Sequence, residues 1–198
     1  MSANAGNLGL PLVVLSFGEA ALPAAVICFI VCNFLHITLG RYLLNRQSNI
    51  QKVFFSPLIL AVVLALILSL LQMKVSQTLL EPIRMLGNIA VPLLLFALGV
   101  RLIDIKMSEW KIGLSVALLA PICGVAIVFL ITPFIDLTRL EQGVLFLFGA
   151  LPPAVMNFIF AEHYNQEPSK VAAMVLFGNA FAVISIPMVL VYVLPRFG

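Results

Sequence analysis

Long apolar stretches, separated by short polar connections, run through almost the whole chain. The stretches are continuous and lack the alternation of apolar and polar positions that is typical of membrane strands. A helix that crosses a bilayer needs about 20 mainly apolar residues. Seven stretches are candidates, at about residues 8–17, 22–44, 53–73, 86–102, 112–135, 143–161 and 171–194. The pattern predicts an all-α polytopic membrane protein with about seven transmembrane segments, of which the first is too short to span alone.

Composition supports this class. The chain has 198 residues, of which 63% are hydrophobic and 10% are charged, whereas soluble domains average about 25% charged residues. Lipid must therefore be the solvent for much of the apolar surface. The net charge of +3 is small and the basic residues are scattered, so nucleic acid is not an expected partner. The N-terminus lacks the basic region of a signal peptide.

The three cysteines give no sign of a disulfide framework or a metal site. Cys28 and Cys32 lie one helical turn apart in one apolar stretch, and Cys123 lies in another. All three are interpreted as small lipid-facing or core residues. Because no further ligands lie near them, we expect neither a metal nor a cofactor.

The distribution of lysine and arginine predicts the orientation in the membrane. The connections after the second, fourth and sixth stretches carry Arg41, Arg46, Lys52, Arg101, Lys106, Lys111 and Lys170, and the opposite side carries Lys74, Arg84, Arg139 and Arg196. The richer side is predicted to be cytoplasmic. This gives a multi-pass protein of the inner or plasma membrane, with its N-terminus in the cytoplasm and its C-terminus outside.

Two adjacent prolines interrupt the sixth stretch. Pro152 and Pro153 lie near its middle, and Asn157 follows about one turn later. A proline costs roughly 3 kcal/mol in a helix interior. The backbone groups that it frees must be satisfied by protein or by a water-filled cavity. One interpretation is a simple kink; Pro121, Pro133 and Pro187 are likewise expected to mark kinks or helix ends. The other is a broken helix whose positive half-helix end binds an anion.

The first stretch is also polar at its start. Asn4, Asn7 and several glycines precede and enter the short apolar run. A discontinuous transporter helix has this character. A frayed chain terminus would also explain it, and that reading is favoured when the stretch is taken alone.

Three passages resemble the auxin efflux carrier family, which includes plant auxin exporters and bacterial malate-permease-like carriers. "NAGNLGLPLVVLSFG" is similar to the fourth helix of that family and "GNIAVPLLLFALGVRL" to the seventh. "LPPAVMNFIFAEHYNQEPSKVAAMVLFGNAFAVISIPMVLVYVL" is similar to the ninth and tenth helices and is the most specific of the three. The resemblance implies ten helices in two inverted five-helix repeats. Each repeat has one helix broken at a crossover, and the two crossovers meet at the substrate site.

Carried over by residue, Asn4 matches the first crossover, and Pro152, Pro153 and Asn157 fall on the second. Asn7, beside Asn4, and the intramembrane amide Asn88 are further candidate substrate-binding residues; the expected substrate is a small organic anion. The resemblance implies that residues 1–44 are a remnant of the first repeat, 45–52 a cytoplasmic link and 53–198 the complete second repeat. Three family helices have no counterpart here. The partners left open are a second copy of the chain, forming a homodimer, or the missing N-terminal helices supplied elsewhere.

Other polar groups have structural explanations that we favour. His36 lies inside the second stretch, where it could carry a coupling proton or hydrogen-bond a neighbouring helix, and the second use is favoured. Glu162 and His163 could form a proton relay, although a surface loop pair is the simpler interpretation. Asn33 and Asn179 are intramembrane amides whose default use is inter-helix hydrogen bonding.

The sequence favours a secondary transporter over an enzyme. It contains no nucleophile elbow, zinc-protease, P-loop or dinucleotide-binding motif. The functional prediction is a permease or efflux carrier of small organic anions, such as carboxylates, working by alternating access at a helix crossover. The alternative is a truncated, non-transporting fragment or an accessory membrane subunit of such a carrier.

Overall fold

This computed structural model describes residues 1–40, 57–73, 75–102 and 109–197. The chain divides into two compact units, one formed by Met1–His36 with Ile105–Gly198 and the other by Ile37–Asp104. Within the described ranges the regular structure is helical, and the strand conformation is limited to one isolated antiparallel bridge between Ala3 and Pro153. The predicted all-α class is therefore confirmed for these ranges.

The α-helices are numbered here in chain order. They are α1 (Leu10–Phe17), α2 (Leu22–Leu35), α3 (Pro57–Leu70), α4 (Gln77–Leu102), α5 (Trp110–Ile131), α6 (Arg139–Gly149), α7 (Met156–His163) and α8 (Pro168–Phe197). A π-helical turn, Ala5–Gly9, precedes α1, and another, His36–Gly40, follows α2. Short 3₁₀ turns, Glu19–Ala21 and Thr132–Phe134, precede α2 and follow α5.

Among the residues that the structure describes, three helical stretches are long and apolar enough to cross a membrane. They are Glu19–Gly40, Trp110–Phe134 and Pro168–Phe197. The count of seven spans and the arrangement in two inverted repeats stay predictions. The predicted link at residues 45–52 lies outside the described residues, so the division into repeats also stays a prediction.

The first unit is built around α8, which packs against α5, α6 and α7. Its core includes the side chains of Val13, Val144 and Leu147, all fully buried. The outer faces are apolar too: Leu15 is 82% exposed and Val183 is 76% exposed. Water would strongly disfavour so much exposed apolar surface, whereas lipid accommodates it.

Helices α5 and α6 touch through their backbones. A Cβ atom placed on Gly124 would lie 1.9 Å from the carbonyl oxygen of Gly149. No side chain fits there, and close approach at small residues is how membrane helices gain packing energy. This contact fixes the end of α6, where the helix stops.

The prolines of the chain behave differently from one another. Pro121 lies inside α5 and Pro187 inside α8, and both helices continue past them. At Pro152 and Pro153 the helix is interrupted, because α6 ends at Gly149 and α7 begins at Met156. The interruption that the double proline predicted is therefore present, and it is a true gap between two helices.

Candidate functional site

Two short non-helical segments, residues 2–4 and 152–154, pair antiparallel inside the first unit, and we call this pairing the crossing. The Asn4 N–H donates to the Pro152 carbonyl at 2.8 Å, and the Ala154 N–H donates to the Ser2 carbonyl at 2.9 Å. Ala3 faces Pro153 between these two bonds. Backbone groups of two interrupted segments thus satisfy each other where a membrane would leave them unpaired.

The prolines explain why residues 152–154 are not helical. Pro152 and Pro153 have no N–H, so neither can donate to the preceding turn of α6. A residue before proline is also disfavoured in the helical region, which affects Leu151 and Pro152. Both prolines are buried, so their carbonyl oxygens need protein donors.

The Asn157 side chain hydrogen-bonds to both segments of the crossing. Its Nδ2 donates to the carbonyl oxygens of Ser2 and Ala154, both at 2.8 Å, and its Oδ1 accepts from the Ser2 N–H at 2.8 Å. The residue is only 8% exposed. Both of its amide hydrogens and one lone pair are therefore used on the crossing.

Asn4 and Asn179 are two further asparagines whose side-chain amides meet at the crossing. Asn179 Nδ2, on α8, donates to the Pro153 carbonyl at 3.0 Å and to the Val175 carbonyl at 2.8 Å. Asn4 is 4% exposed, and its Nδ2 donates to Asn179 Oδ1 at 3.4 Å, a long bond. One hydrogen of the Asn4 amide is left for another acceptor.

Helix α8 can reach the crossing because Gly178 has no side chain. A Cβ atom there would lie 2.6 Å from Pro153 Cδ. The neighbouring Asn179 is thereby brought within hydrogen-bond distance of the Pro153 carbonyl. Close helix approach and amide bonding occur at consecutive positions of α8.

Both helices that leave the crossing begin with free N–H groups. In the Ala5–Gly9 turn, the N–H groups of Gly6 and Asn7 have no carbonyl partner among the described residues. The same holds for Val155 and Met156 at the start of α7. The first N–H groups of a helix lack intrahelical partners and carry partial positive charge. Two such ends therefore adjoin the crossing.

The predicted site residues divide into two groups. Asn4, Pro152, Pro153 and Asn157 come together at the crossing. Asn7 is the third residue of the Ala5–Gly9 turn that follows the first segment, and its side chain bonds to none of the described residues. Asn88 lies in α4 of the second unit, and its side chain is outside the described part of the structure. Whether any of the six binds substrate stays a prediction.

Sequence reasoning missed the contributions of two residues, Ser2 and Asn179, to the crossing. Ser2 contributes mainly backbone groups, which no residue type signals. The sequence predicts Asn179 only as an inter-helix amide. In the structure it bonds to both segments of the crossing, to the Asn4 side chain and to the Pro153 carbonyl. The available signal was its position directly after Gly178 in an otherwise apolar helix. For metal binding, the described residues contain no group of three or more His, Cys, Asp or Glu side chains.

Apolar helices around a buried, hydrogen-bonded interruption define a helical membrane protein with an enclosed polar site. Residues 44–190 match the family model described as membrane transport protein. The chain belongs to this family, which is the auxin efflux carrier family that its sequence resembles.

A relative supports the same assignment. Over 202 residues the chain is 26% identical to an uncharacterized transporter of Methanocaldococcus jannaschii, an alignment that covers 95% of this chain. The chain spans 64% of the length of that relative. No solved structure gives a significant match.

Proposed function

We propose that this chain forms the crossing-containing part of a secondary carrier for small organic anions, with carboxylates such as malate as the substrate class. The observation that carries the proposal is the position of the two helix starts. Each leaves the crossing with two free N–H groups, at Gly6 and Asn7 and at Val155 and Met156. Helix N-termini bind carboxylates and phosphates without needing a cationic side chain.

Neutral amides would complete the site. Asn4 keeps one amide hydrogen, and the Asn7 side chain is unused among the described residues. Asn157 and Asn179 have a different task in this proposal, since their amides hold the two segments together. A site made of N–H and amide dipoles can stabilise a bound anion without a cationic side chain and can still release it, as a carrier requires.

The proposed mechanism is alternating access, in which one helix bundle moves as a rigid body against another around the crossing. The tight contacts at Gly124 and Gly178 support rigid motion, because packed backbones cannot deform separately. We propose no catalytic step and no cofactor. Membrane location follows from the family. The inner or plasma membrane and a cytoplasmic N-terminus are proposed from the basic residues.

Direct binding tests the proposal without requiring a complete transport path. The purified chain is heated in detergent with increasing malate, and a ligand that binds only the folded state raises the melting temperature. We expect malate to raise it and Asn7→Ala to reduce the rise. Asn33→Ala is the matched control, because the Asn33 amide donates only to Phe29 of its own helix. A melting temperature that no carboxylate shifts would refute an anion site. Uptake of labelled malate into vesicles, compared with empty vesicles, then tests transport.

A further inference from the structure

His36 contacts the first segment of the crossing and the helix that follows the second segment. It begins the turn that follows α2, and its Nδ1 forms a hydrogen bond with Ser2 Oγ. Its ring lies against Phe160 of α7, with ring centroids 4.7 Å apart. Ser2 belongs to the first segment and Phe160 to the helix that leaves the second. A change at His36 therefore acts directly on the first segment, through Ser2, and on the helix α7 that follows the second segment.

The other ring nitrogen of His36 is buried without a partner. Nε2 is inaccessible to water and bonds to none of the residues that the structure describes. This holds for either neutral tautomer: Nε2 is an unsatisfied donor in one and an unsatisfied acceptor in the other. Buried polar atoms are nearly always paired. The Nε2 atom is therefore an exception that calls for an explanation, and a second state in which it gains a partner would supply one.

We propose that His36 is a proton-binding site whose occupancy is linked to anion binding at the crossing; this inference rests on the proposed function. In the neutral state the Nδ1–H donates to Ser2 Oγ and the lone pair on Nε2 is free. When the crossing is open to water, Nε2 takes a proton from water and the ring becomes an imidazolium. Both ring nitrogens then donate hydrogen bonds, Nδ1 to Ser2 Oγ and Nε2 to water or to the carboxylate of the bound substrate. The proton returns to water when the anion leaves.

The link to the crossing runs through one residue. Ser2 bonds to His36 through its hydroxyl, and its N–H and carbonyl bond to Asn157. A positive charge on the ring attracts an anion at the nearby helix starts. By thermodynamic reciprocity, a bound anion favours the proton by the same factor.

The elements that contact His36 carry further ionisable groups. They are the α-amino group of Met1 beside Ser2, the thiol of Cys32 one turn earlier on α2, and Glu162, His163 and Tyr164 at the end of α7, the helix whose Phe160 contacts the His36 ring. Of the chain's two histidines, His163 is exposed. It therefore provides an internal control for any experiment that observes histidine rings.

The test follows both histidine rings by NMR in the ¹⁵N-histidine-labelled full chain, in nanodiscs, across a pH series with and without malate. His36→Gln and His163→Gln assign the two signals. We expect malate to change the pH at which His36 titrates and to leave His163 unaffected. Malate should also bind the unsubstituted chain about fivefold or more tightly at acidic pH, a factor at the lower end of typical coupling between sites. His163→Gln should keep this pH dependence and His36→Gln should lose it.

The outcomes separate the two proposals. If malate binds but the titration of His36 is the same with and without it, His36 is not linked to the anion and only this inference is overturned. If malate does not bind at any pH, both the inference and the proposed function are overturned. Should His36→Gln fail to fold, Ser2→Ala removes only the hydroxyl. The malate-induced change at His36 should then shrink, and an unaltered change would contradict the link through Ser2.

Discussion

The two segments of the crossing lie outside the helices for different reasons. In residues 152–154 two consecutive prolines remove two backbone donors and crowd the preceding turn, which strongly disfavours continuation of α6. Residues 2–4 contain no proline, and nothing in their sequence forbids a helix. They are held in place by bonds from outside: the Asn4 N–H donates to the Pro152 carbonyl, and the Ser2 carbonyl accepts from the Ala154 N–H and from Asn157 Nδ2. The Ser2 N–H in turn donates to Asn157 Oδ1.

This difference shows that one segment acts as the template for the other. The proline segment is fixed by local covalent structure, and the first segment takes its shape from the partner's carbonyl, N–H and amide groups. Loss of those groups should therefore disorder residues 2–4 while leaving the gap between α6 and α7 in place. Changes that restore helix formation to the proline segment should remove the template itself.

The largest effect is expected from Asn157→Asp, which removes the donors but keeps the shape. One carboxylate oxygen can still accept from the Ser2 N–H, while the other faces the carbonyl oxygens of Ser2 and Ala154. The loss of two buried bonds, with acceptors facing each other, should lower the free energy of unfolding by about 3 kcal/mol. Chemical denaturation in detergent measures it.

The control for that change is Asn165→Asp, at an exposed position just after α7. Asn165 has a φ of 51°, a conformation that aspartate tolerates nearly as well as asparagine. An equal loss of stability in both variants would contradict the role of Asn157 in holding the two segments together.

Gly178→Ala comes next and tests how rigid the proline segment is. The added methyl group would lie 2.6 Å from Pro153 Cδ, and the proline ring cannot rotate away. Overpacking of this kind costs about 2 kcal/mol. Thermal unfolding of the variant is compared with that of Ala180→Val, which adds carbon atoms at an exposed position of the same helix. If Gly178→Ala were no less stable than Ala180→Val, residues 152–154 would be able to shift away from the added methyl group, which would contradict the rigidity that we assign to this segment.

Replacing Pro152 and Pro153 together by alanine should make the second segment like the first. Two N–H donors return, so α6 should extend and the bond from Asn4 to the Pro152 carbonyl should be lost. The net cost should be about 1.5 kcal/mol or less, because relief of the proline penalty offsets part of the loss. Hydrogen exchange at residues 2–4 should become faster.

Pro187→Ala is the control for the double replacement, since α8 already continues through Pro187. It should leave exchange at residues 2–4 unchanged. Slow exchange at these residues in the double variant would mean that the first segment holds its conformation without the template.

Asn179→Ala should have a smaller effect, about 1 kcal/mol, because the Pro153 carbonyl loses one neutral hydrogen bond. The comparison with Asn33→Ala separates an amide that bonds across helices from one that bonds within its own helix. If Asn33→Ala proved the more costly change, Asn179 would have no special place at the crossing.

The smallest effect is expected at the far end of α6. Thr138 and Glu141 form a capping box, and the Thr138 hydroxyl and N–H lower the pKa of the Glu141 carboxyl. Thr138→Ala should cost about 0.5 kcal/mol, the low end for a helix cap. Because the pKa is lower in the folded state, this carboxyl stabilises the fold above its unfolded-state pKa and ceases to do so as the pH falls through the folded value. The difference in the free energy of unfolding between Thr138→Ala and the unsubstituted chain should shrink in acid. A difference that stays constant across pH would contradict the role of the Glu141 carboxylate in the capping box.

The same contrast explains which parts could be predicted from sequence. The interruption at Pro152 and Pro153 could be predicted, because a missing N–H is a local property. The pairing of Asn4 with that region was available only through the family resemblance, because a bond between residues far apart in the chain leaves no local pattern. Ser2 could not be found at all, since it acts mainly through its backbone. Asn179 could be recognised as a buried amide but not assigned its partners.

Labelling of single cysteines tests the central claim most directly, namely that the start of the first helix lines a hydrated anion site. In a chain with Cys28, Cys32 and Cys123 replaced by serine, Asn7→Cys is exposed to a charged thiol reagent with and without malate. Leu15→Cys, at a position 82% exposed on the apolar outer face, is the control. The account predicts that the cysteine at position 7 reacts, that malate slows the reaction, and that the cysteine at position 15 stays inert in the bilayer. A cysteine at position 7 that is as inert as the one at position 15, or one that malate does not protect, would contradict it.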